Sequence, residues 1–91
     1  MAGSGGDSGI FYNPNNGIDN SKMGLDDTTA PGFGRGLNKI RFTRPSGKSF
    51  IKWNTAADGS GTDYFPGDDV EHLLGTDANL YAIWGDVPLI I

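Results

Sequence analysis

The chain has 91 residues, a formal charge of −4 and no cysteine. That length suits one small domain, and the missing cysteines exclude disulfides, thiolate zinc sites and a cysteine nucleophile. Only 36% of the residues are hydrophobic, in runs far shorter than the ~20 needed for a membrane-spanning helix.

Residues 1–9, MAGSGGDSG, read as a flexible arm, since Gly, Ser and Ala offer little to anchor it. They carry neither the basic start nor the apolar stretch of a secretory signal. The chain is therefore expected to stay where it is made, to leave by another route, or to be a piece of a longer secreted protein. Ile10-Phe11-Tyr12 predicts a short strand ending at Asn13-Pro14-Asn15-Asn16-Gly17, whose Asn-Gly pair is a strong turn signal. Residues 18–38 read as an irregular loop, with Asp26-Asp27-Thr28-Thr29, Pro31 and glycines at 32, 34 and 36.

Over residues 38–43, Ile40 and Phe42 alternate with Lys39, Arg41 and Thr43, the period-two pattern of a half-buried strand. A turn at 44–47 leads to a second strand over 48–53, with Phe50 expected on one face and Ile51 and Trp53 about the other. Residues 54–62 form a polar, Gly-rich connection, and Asp63-Tyr64-Phe65 a short strand stopped by Pro66-Gly67. Asp68 and Glu71 imitate a capping box, and Val70, Leu73 and Leu74 fall at helical spacing, which predicts one to two helical turns. Residues 79–84 form the clearest strand: Leu80, Ala82 and Trp84 share one face, Tyr81 and Ile83 the other. Apolar groups on both faces predict a central strand. Val87-Pro88-Leu89-Ile90-Ile91 is an apolar tail. The expected fold class is α+β, mostly β: one domain over residues 10–86 with a short helix and long irregular loops.

The stretch from Arg44 to Trp84 carries more than generic strand chemistry. Phe50-Ile51-Lys52-Trp53-Asn54-Thr55, Ala57-Asp58-Gly59-Ser60-Gly61-Thr62, Tyr64, Gly67 and Asn79-Leu80-Tyr81-Ala82-Ile83-Trp84 follow one another in order. Together they resemble the Listeria–Bacteroides repeat, also called the internalin B-repeat. Phe11-Tyr12-Asn13-Pro14-Asn15-Asn16-Gly17 is similar to the family's first strand and its turn. The resemblance covers about 50 residues. It implies a small β-grasp-like fold serving as a spacer, adhesion or protein-contact module, on bacterial surface proteins and sometimes on phage proteins, and it implies no catalytic residues. Trp53 and Trp84, which can each bury roughly 150–250 Å², are expected to dominate the core with Phe50 and Tyr81.

Catalytic and binding motifs mostly fail on their surroundings. Gly47-Lys48-Ser49 ends like a P-loop, but Phe42 stands where the loop needs glycine and a strand follows where a helix is needed. Gly32-Phe33-Gly34-Arg35-Gly36 has Leu37 in place of the third glycine of a dinucleotide fingerprint. The 58–63 turn lacks the sixth-position glycine and twelfth-position glutamate of an EF-hand, leaving only a loose calcium site as an alternative. Asp68, Asp69 and Glu71 are explained as helix N-terminal charges. His72, the sole histidine, has no legible nucleophile or orienting acid beside it. Neither an enzyme nor a cofactor nor a bound metal is expected.

Charge is segregated along the chain. Arg35, Lys39, Arg41, Arg44, Lys48 and Lys52 fall in a stretch without acids, whereas residues 53–91 hold acids and no base. Either cross-strand pairs within one molecule absorb this asymmetry, or a dipolar surface attracts a neighbour. A pI near 4.5 opposes nucleic-acid binding; no nucleic-acid and no membrane partner is expected. Because exposed contiguous apolar residues usually mark contacts, Val87, Pro88, Leu89, Ile90 and Ile91, together with Arg35, Arg41 and Arg44, are the expected partner-binding residues. The expected function is a non-catalytic subunit of a surface assembly, such as a phage capsid decoration or fibre protein located in the virion. Alternatives are an adhesin or spacer repeat of a bacterial cell-surface protein and a carbohydrate-binding module.

Overall fold

A computed structural model describes residues 9–32 and 40–86. Its strands are β1 (Ile10–Asn13), β2 (Met23–Leu25), β3 (Lys48–Asn54), β4 (Asp63–Tyr64) and β5 (Asn79–Asp86). They form one mixed sheet in the order β2-β1-β5-β3-β4. β5 lies at its centre, parallel to β1 and antiparallel to β3, while β2 and β4 form the antiparallel edges. The protein is thus mostly β, with its last strand in the middle.

The spacing Phe50-x-x-Trp53 would place two aromatic rings on opposite faces of a regular strand. Instead, the ladder to β5 slips between Phe50 and Lys52, leaving Ile51 as the extra residue of a β-bulge. Phe50 and Trp53 therefore share the core face, their ring centroids 4.8 Å apart, which corrects the expected opposition of these residues. Ile51 turns outward over Gly85 and is 44% exposed.

Two other expectations change. The run 38–43 is not a strand where it is described. Ile40 is buried and Phe42 packs on the core, so the alternation is real, but beyond a single β-bridge at Ile40 residues 41–43 belong to no strand. The Thr43 N–H donates to Asp19 Oδ2 (2.6 Å), and its carbonyl accepts from Asn16 Nδ2 (2.6 Å). Conversely, β2 arises inside the expected 18–38 loop, where Gly24 allows close packing of the Phe11 ring.

The expected helix is a single 3₁₀ turn, Glu71–Leu73, and no α-helix occurs among the described residues. Asp68 Oδ2 accepts from the Phe65 N–H (2.7 Å) and Asp69 Oδ1 from the Glu71 N–H (2.9 Å), so no capping box forms. The same segment is stapled to residues 28–30 by Ala30 N–H to Asp68 O (2.9 Å) and Val70 N–H to Thr28 O (2.8 Å). Left-handed backbone at Gly75 and Asp77 then ends any winding.

The buried core comprises Ile10, Tyr12, Leu80 and Ala82 from the sheet centre, Trp53 from β3, and Ala30, Ile40 and Val70 from the covering loops. Trp53 is its hub, packed edge-on by Tyr12 (4.9 Å) and Phe42 (6.5 Å). Burying such a ring contributes about 4–6 kcal/mol of transfer free energy. Its Nε1–H donates to Pro31 O (3.1 Å), so the indole carries no unmet donor into the interior. Trp84 is half-buried against this core, its Nε1–H bonded to Pro14 O (2.9 Å). Tyr81 alternates with Leu80 and Ala82 and therefore faces the other side of the sheet, half-buried.

Candidate functional site

The covering loops leave two surfaces with binding character. One is the outer face of the sheet. By strand alternation it displays Phe11, Tyr81 and Ile83, all half-buried, beside the outward-turned Ile51. Lys22 Nζ sits 4.4 Å from the centroid of the Phe11 ring, a cation–π contact at its border.

The other is an open cleft of about 350 Å³ formed by residues 19–23 with Arg41 and Phe42. Its walls are tied together by side chains. Asn16 Oδ1 accepts from the Ile18 and Asp19 N–H groups (2.8 and 2.9 Å), an Asx-type turn, while its Nδ2 reaches Asp19 Oδ2 (3.0 Å). Asp19 in turn accepts from the Thr43 N–H and hydroxyl. The Thr43 N–H, then the Asn16 amide, hold the Asp19 carboxyl below its ordinary value. Its charge thus has a structural role.

Of the residues expected to bind a partner, Arg35 and Val87 to Ile91 lie outside the described residues. Arg41 and Arg44 are exposed, and Arg41 borders the cleft. The structure brings Phe50, Trp53 and Trp84 together, with Phe50 and Trp84 centroids 6.1 Å apart, and leaves Tyr81 on the opposite face. Two pairs of the segregated charges meet within the molecule. Lys48 pairs with Asp86 across β3 and β5 (2.6 Å), and Lys52 reaches diagonally to Asp63 on β4 (3.0 Å). Each lysine's hydrogen bond lowers the pKa of its carboxylate partner.

The groups weighed for chemistry are occupied by structure. Asp58 Oδ1 accepts from the Ser60 N–H (3.0 Å) and hydroxyl (2.7 Å), and Asp63 is taken by Lys52 and Asn54. Among the described residues no group of three or more His, Asp or Glu converges as a metal site. His72 Nε2 meets the Tyr64 hydroxyl (2.9 Å), which docks the 3₁₀ turn on β4. Gly47-Lys48-Ser49 runs from a turn into β3.

Sequence reasoning overlooked the asparagines. Asn54 is fully buried. Its Oδ1 accepts from Ala56 and Gly61 N–H groups (2.8 and 2.9 Å), and its Nδ2 donates to Asp63 Oδ1 (2.6 Å) and Gly59 O (3.3 Å). A Cβ at Gly61 would collide with Thr55 Oγ1 and crowd this amide. Asn15 likewise bridges Ala57 O and Ala82 O, both at 2.9 Å. The available signal was the run Asn13-Pro14-Asn15-Asn16, because Asn side chains readily replace backbone partners at turns.

Comparison with protein-family models, with curated proteins and with solved structures finds no match to this chain.

Proposed function

We propose that the chain is a non-catalytic protein-interaction module on a β-grasp-like sheet, acting as a small subunit of a surface assembly such as a phage capsid decoration or fibre. The order β2-β1-β5-β3-β4, with first and last strands parallel at the centre, supports the β-grasp-like part of this reading. Loops around residues 28–32 and 65–78 cover the face on which such a sheet would carry its helix. The observation that carries the functional part is the contrast between the faces: one closed by the chain's own loops, the other presenting Phe11, Ile51, Tyr81 and Ile83. Ile51 is exposed and the other three half-buried, and contiguous apolar surface left open to solvent marks contacts.

The full-length chain is expected to associate as its concentration rises from micromolar to millimolar in sedimentation experiments. The double substitution Ile51→Lys, Ile83→Lys should leave far-UV circular dichroism unchanged and weaken association at least tenfold. A monomer throughout, with concentration-independent methyl shifts on the outer face, would overturn the assembly reading. That result would favour the second reading, a spacer or adhesin repeat from a bacterial surface protein. The packing of Phe50, Trp53 and Trp84, residues on which the family resemblance rests, supports that second reading.

A further inference from the structure

We propose that Asn16 is a site of spontaneous deamidation, and that its conversion to a carboxylate weakens the link between residues 16–19 and residue 43 that holds the two walls of the cleft. This goes beyond the assembly reading and does not rest on it. Asn16 precedes Gly17, the one Asn-Gly pair in the sequence. An asparagine amide is attacked at its own Cγ by the nitrogen of the next residue, and a side chain on that residue obstructs the approach. Glycine has none. Gly17 is exposed and, its chain neighbours aside, has no atom within 4 Å of where a Cβ would stand. Its N–H makes no hydrogen bond among the described residues. The nucleophile is therefore unhindered and open to water.

The amide, by contrast, is held. Its Nδ2 donates to Thr43 O (2.6 Å) and Asp19 Oδ2 (3.0 Å), and its Oδ1 accepts from the Ile18 and Asp19 N–H groups (2.8 and 2.9 Å). Ring closure carries Cγ toward the Gly17 nitrogen and expels Nδ2, so these bonds must first part. The rate thus follows local opening of residues 16–19, which lie outside the paired strands. In the open form, water removes the Gly17 amide proton and the nitrogen attacks Cγ. The new C–N bond closes a succinimide, the Cγ–Nδ2 bond breaks, and Nδ2 takes a proton from water and departs as ammonia. Water then opens the ring. Cleavage at Cγ leaves an aspartyl side chain; cleavage at the main-chain carbonyl leaves isoaspartate, with one more methylene in the backbone.

The product cannot rebuild the link. Where Nδ2 donated, a carboxylate oxygen would face Thr43 O and Asp19 Oδ2, an acceptor against two acceptors and a charge against a like charge. In the aspartyl form Oδ1 keeps its two N–H partners, so the turn survives and the tie to Thr43 O is lost. In isoaspartate the longer backbone displaces the turn as well. The remaining tie between the walls, from Thr43 to Asp19, then has a second carboxylate beside it.

The full-length chain should be incubated at mildly alkaline pH, folded and in urea, and digested for mass spectrometry. The expected result is a mixture of aspartyl and isoaspartyl peptides at position 16, formed about tenfold faster in urea. Asp19→Ala removes one acceptor of Nδ2 and both bonds from Thr43, and should speed conversion of the folded chain about fivefold. The converted chain, separated by its added negative charge, needs no variant: amide exchange at Thr43 should be faster, with the β3–β5 ladder unchanged. Asn16→Asp should reproduce the exchange pattern of the aspartyl form. An Asn16 still amidated in the folded chain long after the urea-treated chain has converted fully would overturn the proposal. Equal rates in the two conditions, or unaltered exchange at Thr43 in the converted chain, would overturn it as well.

Discussion

Two halves of this sheet are held by different kinds of bond. Between β3 and β5 the main chain supplies the partners through six registered residue pairs, from Lys48–Asp86 to Asn54–Tyr81, interrupted only by the bulge at Ile51. From β1 to residue 45 the ladders are three pairs long, and side chains bear much of the load. Asn13 donates to Leu80 O, Asn15 to Ala57 O and Ala82 O, Asn16 to Thr43 O, and Asp19 accepts from Thr43. A ladder tolerates changes of side chain as long as the faces alternate. A segment fastened through asparagine and aspartate does not, because each fastening is a single residue.

The largest effect should come where the halves meet. Trp53→Ala removes the ring that contacts Tyr12, Phe42 and Phe50, together with the bond to Pro31. A loss of about 3–5 kcal/mol is expected in urea denaturation, with both halves melting together. Asn54→Ala leaves the Ala56 and Gly61 N–H groups without their acceptor and should cost about 2–3 kcal/mol. Its hydrogen-exchange signature should be confined to the 54–63 connection and its neighbours.

Tyr12 sharpens the comparison through pH. Burial, and secondarily the Asp27 charge, push its phenol up to about 12 from 10.0. Its hydroxyl is buried without a hydrogen-bond partner among the described residues. Because the folded pKa exceeds the unfolded one, the neutral phenol supports folding fully below pH 10, and that support disappears as pH rises toward 12. Thermal melts should therefore decline across that window, and Tyr12→Phe should flatten the decline while leaving neutral-pH stability equal or higher.

A smaller effect, about 1 kcal/mol, is expected for Asn16→Ala, and it should appear as faster exchange at residues 18, 19 and 43 with the β3–β5 ladder unaffected. The gentlest change is on the acid side. Asp19, Asp58, Asp63 and Asp86 all have carboxyl pKa values lowered from 3.8 by hydrogen bonds. Their support is present above that value and lost as pH falls through the lowered ones. Lys48→Ala should leave the neutral-pH melting temperature nearly unchanged, because Lys48 and Asp86 are largely solvated.

The same division explains what could be read from the residues alone. The 79–84 alternation marked the central strand, and the Arg44–Gly47 and Asp58–Gly61 turns fall between strands, with positive φ at Gly47 and Gly59. The 48–53 strand was legible too, but its bulge was not, since period-two reasoning has no place for an extra residue. β2 escaped because Met23-Gly24-Leu25 is only three residues long and centred on a glycine. The 40–43 run misled because burial alternates there although only Ile40 makes a single β-bridge and no strand forms. In the cleft, Arg41 was expected to bind but its surroundings were not foreseen, because the cleft depends on Asn16 and Asp19 meeting a segment more than twenty residues away.

Placing β5 at the centre of the sheet also constrains how the protein emerges from a ribosome. β1 appears early but cannot find its parallel neighbour until residues 79–81 have been made, 68 positions later. β3 and β4 can form a hairpin in the meantime, yet that hairpin too lacks its main partner until Asp86 is made. Contacts so distant along the chain form slowly. A nascent chain halted before residue 79 would therefore hold exposed strand edges awaiting a partner, the kind of species that is prone to aggregate.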